Sequence, residues 1–431
     1  MGQRQPLLRI CRTGWHSGQP QACRCNPRRC GRFCDLVLRA AMMWRVTELL
    51  RPFSGFIPAS GFGRRVVGPP SATLTAEAKK RAKGDPLSFR NSVGRKAGCS
   101  ADEATSWFND RIEDGALIST GPAVVVYRQK EGDFVARGVI ADLSLDAYVS
   151  GQVKRHEKTI AKTQLKMAEY MRTTRMYGNP PVTAFPPDPE IDNLIAGLTE
   201  GQPDTAFETL DDIGHEMWLV TGEVAVELCR KIGSDLYISD GHHRLAAAAL
   251  VASEEGRADA RIPVGAFSAN EFRLRSFARC ITDPGLDPGA IITQLQADFE
   301  LEEVAPDEAL PRSRFEFGAK IGDGYFRLRI PDDRIPDDHY AALNTKLIQD
   351  LVLGPVFGIS KPRVDKRLRF VAHLGDLAHL STEADAWILP FPLEVRDVMA
   401  VANSDRTMPA KSTWFAPKLP SGLVIRPLDE N

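Results

Sequence analysis

No stretch of the 431-residue sequence carries the ~20 consecutive apolar residues that a membrane-spanning helix requires, so no membrane association is expected. An excess of one charge is lacking too. Lysine plus arginine (55) nearly balances aspartate plus glutamate (56), giving a formal net charge of −1. With no broad cationic field, a nucleic-acid partner is not expected. The N-terminus lacks the long apolar segment of a secretory signal. Cysteine is scarce beyond residue 35. Five of the eight are Cys11, Cys23, Cys25, Cys30 and Cys34, and Cys99, Cys229 and Cys280 are scattered. That distribution fits reduced thiols and a cytoplasmic location.

What the chain does have is 43% hydrophobic residues, on a length that allows two or three domains and a sizeable core. Residues 1–42 stand apart, with eight arginines against the single acidic Asp35. Their cysteines do not match the paired Cys-x₂₋₄-Cys knuckles of a zinc site. This segment reads as a disordered basic extension, consistent with an over-extended start of translation. Ordinary amphipathic sequence begins at Met43. Helices are expected over 75–83, stopped by Asp85-Pro86, and over 101–114, closed by Gly115. Residues 123–128 and 134–140 read as the strands of a hairpin.

The most informative stretch is Tyr237-Ile-Ser-Asp-Gly-His-His-Arg-Leu-Ala-Ala-Ala-Ala-Leu250. It reads as strand, glycine turn and alanine-rich helix. Asp240, His242, His243 and Arg244 crowd the helix start, where unpaired N–H groups and the positive dipole end suit an anion. Asp240 either caps the helix or holds a metal ion, and a cap with surface histidines is the plain alternative. With a strand over 235–239 before it and another over 261–267 after its helix, the motif is expected in a βαβ-like setting, with ligand at the strand's carboxyl end.

Two further patches carry chemistry. His156-Glu157 precedes a long amphipathic helix over 158–177, in a local field made positive by Lys154, Arg155, Lys158 and Lys162. A glutamate there suits a general base towards a hydroxyl, or simply complements the helix dipole. Near the C-terminus, Lys411, Ser412 and Thr413 set an ammonium beside two hydroxyls between prolines, a combination that grips phosphate. It is not a Walker A loop, because the glycines and the following helix are missing. The remaining chain is expected to place helices over 188–198, 221–231, 287–299 and 341–353, and strands over 207–213, 215–220, 314–318, 325–330, 368–373, 386–390 and 422–426. An extended run is expected over 272–278, and a further helix within 390–404.

The three patches in this order resemble the free serine kinases built on the ParB/sulfiredoxin-like fold. Over its length the chain is similar to a larger prokaryotic family, domain of unknown function number 1015, through Pro52-Phe53, residues 151–159, residues 240–244 and residues 408–422. The resemblance spans about residues 45–430. It implies an α+β (mixed α/β) fold with a ParB/sulfiredoxin-like nucleotide-binding core over 151–270. An N-terminal α/β region over 43–150 and a C-terminal α/β region over 271–431, which contributes the Lys-Ser-Thr patch, flank that core. It implies Glu157, with His156, as the catalytic base, and Asp240, Gly241, His242, His243 and Arg244 as the nucleotide-phosphate site, Asp240 also meeting Mg²⁺. Lys411, Ser412, Thr413 and Arg279 would hold a small-molecule substrate, with ATP or ADP as donor. The chain departs from the larger family at Ser71-Ala72, where Tyr-Asp is usual, and at Ala278, where His is usual. The function expected is phosphoryl transfer to the hydroxyl of serine or a similar metabolite. The alternatives are a non-catalytic nucleotide- or phosphate-binding regulator and a ParB-like DNA-partitioning or nuclease module. The last of these lacks the basic surface it needs.

Overall fold

The computed structural model describes residues 48–70, 73–233, 235–372, 380, 384–404 and 406–429. The basic extension with its five cysteines and the Ser71-Ala72 departure lie outside these residues. The fold is mixed α/β. Its larger sheet has nine strands, and period-2 alternation along each sorts side chains between two cores. Val124, Val126, Val139, Ala141 and Leu143 point to one face, and Val125, Tyr127 and Ile140 to the other. On the first face pack the helices Leu145–Val149, Ala161–Thr174, Pro189–Leu198, Gly222–Lys231 and His242–Glu254. The second face is covered largely by the C-terminal part of the chain, through Leu419, Leu423 and Val424.

Read across, the sheet runs Val153–Lys154, Leu236–Asp240, Val182–Phe185, Arg261–Ser268, Phe134–Ser144, Val124–Glu131, Gly214–Val220 and Thr205–Glu208, with Leu50–Arg51 paired to Phe134–Ser144. The first two strands pair in parallel, as do Val182–Phe185 and Arg261–Ser268, and the other pairs are antiparallel. A second, six-stranded antiparallel sheet takes Phe277–Ile281, Glu300–Glu303, Glu316–Ile321, Gly324–Arg329, Leu368–Ala372 and Ala386–Pro390.

Several expectations need correction. The motif does not sit in a βαβ unit. Val182–Phe185 lies between Leu236–Asp240 and Arg261–Ser268, antiparallel to the first and parallel to the second. An apolar strand does not specify its neighbour, so local pattern could not show this. The strand over 207–213 is instead Thr205–Glu208, because Thr209 N–H bonds the Ile213 carbonyl and Asp212 turns left-handed at φ 58°. The helix over 158–177 is Ala161–Thr174, ended by Arg175 at φ 51°. The run 272–278 divides into Arg273–Arg275 and Phe277–Ile281, which join different sheets. The helix over 341–353 is Asn344–Ile348 continued by a wider turn, Gln349–Leu353. The helix over 287–299 shortens to Pro288–Leu295, and the last strand to Arg426–Pro427.

Trp414–Ala416 pairs with Arg273–Arg275 and anchors the C-terminal segment. Phe415, 2% exposed, packs in a cluster with Ala184 and Tyr237 of the larger sheet, and its ring lies 5.4 Å from Phe272. Removing a fully buried aromatic side chain costs about 3–5 kcal/mol. Phe415→Ala is therefore expected to lower the urea-unfolding free energy by about that amount, and Phe415→Leu by clearly less. Equal, small losses in both variants would show that the ring does not hold the segment.

Candidate functional site

Parallel pairing sets the geometry of the site. Val153 faces Leu236 and Lys154 faces Tyr237. The pairing ends at Lys154, and His156 and Glu157 follow within three residues at the edge of the cavity. Strand pairing shifts between Ile238 and Asp240, and Gly241 then turns at φ 103° to start the helix His242–Glu254. A β-carbon on Gly241 would stand 2.9 Å from both the Arg244 Nε and the Pro181 Cβ. Only glycine makes this turn without strain. Ala246, Ala247 and Ala248 are buried and keep the helix close to its neighbours.

A cavity of about 540 Å³ opens at this end of the strand. His156, Glu157, Asp240, Gly241, His242, His243, Arg244, Lys411, Ser412 and Thr413 all line it. Arg279 does not. It is 2% exposed in the second sheet, donates 2.6 Å to the Phe277 carbonyl and lies 5.6 Å from the Phe370 ring. Phe277, two residues earlier, is the one that reaches the cavity.

Within the cavity the charged groups divide. Arg244 holds Asp240 through one nitrogen, and its other terminal nitrogen reaches the Asn179 side chain at 2.7 Å and the Pro180 carbonyl at 2.7 Å. Lys418 Nζ approaches the second Asp240 oxygen at 3.5 Å and stands 4.6 Å over the Trp414 ring. Burial alone would raise the Asp240 carboxyl, but Lys418 and Arg244 outweigh it and hold it well below the usual carboxylate range. Asp240 is thus a fixed anion between two cations.

Glu157 has no cationic partner among the described residues. Its Oε2 lies 4.0 Å from His242 Nδ1. Burial first, then the neighbouring His156, push the His242 imidazole well below its ordinary value, so this contact is not an ion pair. The His156 and His242 rings meet edge-on, 4.5 Å apart. His156 Nδ1 and His242 Nε2 are buried with no partner among the described residues. The His156 carbonyl accepts the Met408 N–H at 2.9 Å and so ties the C-terminal patch to the Glu157 strand.

Two expected phosphate ligands are engaged elsewhere. His243 Nε2 accepts the Ile160 N–H at 2.9 Å, just before the helix Ala161–Thr174. Ser412, 6% exposed, donates its hydroxyl to the Pro409 carbonyl at 2.9 Å and pairs with the Thr345 hydroxyl at 3.1 Å. It locks a turn in which Lys411 takes a φ of 53°. Lys411 Nζ stands 5.4 Å over the Phe277 ring. Sequence reasoning missed Lys418, Asn179, Arg95 and Lys96, which also line the cavity. Lys418 had a signal, since it lies seven residues beyond Lys411 in the same proline-rich stretch.

A metal ion has few ligands here. Among the described residues no group of three or more His, Cys, Asp or Glu is placed to hold one. Mg²⁺ commonly uses one or two carboxylates and completes its shell with phosphate oxygens and water, so Asp240 alone fits only an ion that arrives with phosphate.

Residues 50–351 match the family described as "Protein of unknown function (DUF1015)", and the chain belongs to that family. No curated protein matches. Among solved structures, the chain is similar to a free serine kinase in complex with AMP, at 14% identity and a TM-score of 0.33, covering 66% of this chain and 89% of that one. It is also similar to a conserved hypothetical protein from Pyrococcus furiosus, at 15% identity and a TM-score of 0.32, covering 66% and 93%. A third is SbnI with C-terminal truncation from Staphylococcus aureus, at 12% identity and a TM-score of 0.38, covering 68% and 90%. These likenesses are too distant to carry an argument about chemistry.

The buried histidine gives a pH signature. Burial pushes His156 down to about 4, against the opposing pull of the Ile238 backbone and Asp240. An unfolded imidazole binds its proton near pH ~6.5. Between these values the unfolded chain takes up more protons, so stability falls as pH drops through that window, by about 2 kcal/mol by pH ~5 for His156 alone. Asp142, pushed up to about 6 by burial, acts in the opposite sense, losing stability as pH rises from about 4 to 6. Comparison with a variant isolates the histidine. Between pH ~7 and pH ~5, His156→Phe is expected to lose about 2 kcal/mol less unfolding free energy than the parent chain. Identical losses would mean that His156 is charged in the folded state.

Proposed function

We propose that the cavity transfers a phosphoryl group from a nucleotide to the hydroxyl of a small molecule, serine or a similar metabolite, with Glu157 as general base. One observation carries this reading. Of the two carboxylates in the cavity, Asp240 is held by Arg244 and Lys418, whereas Glu157 faces the same space without a cation. A carboxylate free to take a proton, opposite a cationic wall, is what phosphoryl transfer to a hydroxyl needs from a protein.

In this reading the nucleotide phosphates lie at the N-terminus of the helix His242–Glu254, where unpaired N–H groups and Lys418 offset their charge. Glu157 takes the hydroxyl proton as the acceptor oxygen bonds to the terminal phosphorus. The bond from that phosphorus to the bridging oxygen breaks, and the shortened nucleotide leaves. ATP and ADP both satisfy this balance. Mg²⁺, held by Asp240, would neutralise phosphate charge when bound. Neutral His242 keeps Glu157 from being drawn into an ion pair, and His243 holds the Ile160 N–H at the start of the helix that follows. Lys411 and Thr413 border the acceptor side.

The finer assignments belong to the same proposal. Residues 151–270 form a ParB/sulfiredoxin-like nucleotide-binding core, 43–150 and 271–431 flank it, and the protein works in the cytoplasm. No helix of the described residues is long and apolar enough to cross a membrane.

The test is product formation from purified protein with Mg²⁺, ATP or ADP, and a panel of small hydroxyl compounds including L-serine. A phosphorylated acceptor is expected, and Glu157→Gln should reduce its rate by at least ~100-fold while leaving nucleotide affinity within about twofold. A Glu157→Gln chain as active as the parent would remove the base from the mechanism. Nucleotide binding without transfer to any acceptor would leave the regulatory reading in its place.

A further inference from the structure

A second cavity of about 660 Å³ lies between the helix Ala76–Lys83, the short helix Gly63–Val66 and residues 88–97. Seven of its seventeen lining residues are arginine or lysine, and only Asp85 is acidic. The chain as a whole carries a net charge of −1, so composition does not account for a local excess of six.

Protein carboxylates neutralise only part of this wall. Asp85 is committed to Arg65 through two hydrogen bonds, of 2.8 and 3.0 Å, and also accepts the Leu87 N–H at 3.0 Å. Arg64 meets Glu208, which is outside the cavity, at 3.3 Å. Lys79, Arg81, Lys83 and Lys96 have no acidic partner among the described residues. Like charges gathered around a concavity repel one another, and a bound polyanion relieves that repulsion. The volume suits a small ligand, whereas duplex nucleic acid needs an extended surface.

We propose that this second cavity binds a compact polyanion carrying two or more phosphate groups. It shares Gly68, Pro69, Arg90 and Lys96 with the candidate active site, so the two recesses adjoin. Two sources present this chemistry: the remote phosphates of a molecule seated in the first cavity, or a separate phosphorylated molecule. The first source rests on the kinase reading, and the anion site itself does not.

Inorganic tripolyphosphate titrated into the full chain by calorimetry, at about physiological salt, tests it. Saturable binding is expected, weakened about tenfold or more in Lys79→Gln/Arg81→Gln/Lys83→Gln. These three side chains are exposed and lie outside the first cavity, and a thermal melt confirms that the variant is folded. No saturable binding by the parent, or equal affinity in the folded variant, overturns the proposal. ATP titrated into parent and variant distinguishes the sources. An ATP affinity that falls with the triple substitution assigns one ligand spanning both cavities, and an unchanged affinity assigns a separate molecule. Glu157 lies outside the second cavity and Lys79, Arg81 and Lys83 lie outside the first, so loss of transfer in Glu157→Gln and loss of anion binding in the triple variant are separable results.

Discussion

Asp240 sits at the end of a strand with its carboxylate turned into a recess, and a charge in that position persists only if cations meet it there. Arg244 reaches it from the first turn of the helix that follows. Lys418 reaches it from a segment almost 180 residues later. The first contact depends on the left-handed turn at Gly241, and the second on the burial of Phe415 and the pairing of Trp414–Ala416 with Arg273–Arg275. Much of the site follows from closing this triad. Lys411 and Thr413 come with the segment that delivers Lys418, and Met408 hydrogen-bonds the residue before Glu157.

Charge is distributed unevenly for a chain so near neutrality. At the centre, burial keeps His156 and His242 uncharged. Around them stand Arg244, Lys411 and Lys418, and the adjoining recess adds Lys79, Arg81, Lys83 and Lys96, which have no acidic partner among the described residues. Neutral imidazoles beside Glu157 leave it without a competing ion pair, while the surrounding cations favour phosphate. In the proposed mechanism, the same arrangement allows a base and an anion site to occupy one cavity without cancelling each other.

The local grammar of the chain was readable. Helices over 75–83, 101–114 and 188–198 were expected from their pattern, and the structure shows local caps at their starts: Thr75, Ser100 with Glu103, and Asp188. The hairpin expected over 123–128 and 134–140 forms too, with strands that run to Glu131 and Ser144 and so leave a shorter turn than the expected loop. These features are set by residues within a few positions of each other. Expectations failed where a distant partner decides, as with the split of the run 272–278 between two sheets and the Val182–Phe185 strand beside the motif. Composition does not record such pairings.

For the site, the sequence alone determined the residue types and the backbone that presents them: a carboxylate, a glycine turn, a helix start and an alanine face, all contiguous from Asp240 onward. Only tertiary structure decided what each group faces. It brought Glu157 to the cavity through a parallel register, added Lys418, turned Ser412 inward to Thr345 and engaged His243 with Ile160. It also kept Arg279 off the cavity wall. The physical reason is that a side chain's ionisation and hydrogen bonding depend on groups within a few ångströms, and folding draws those groups from positions far apart in the chain.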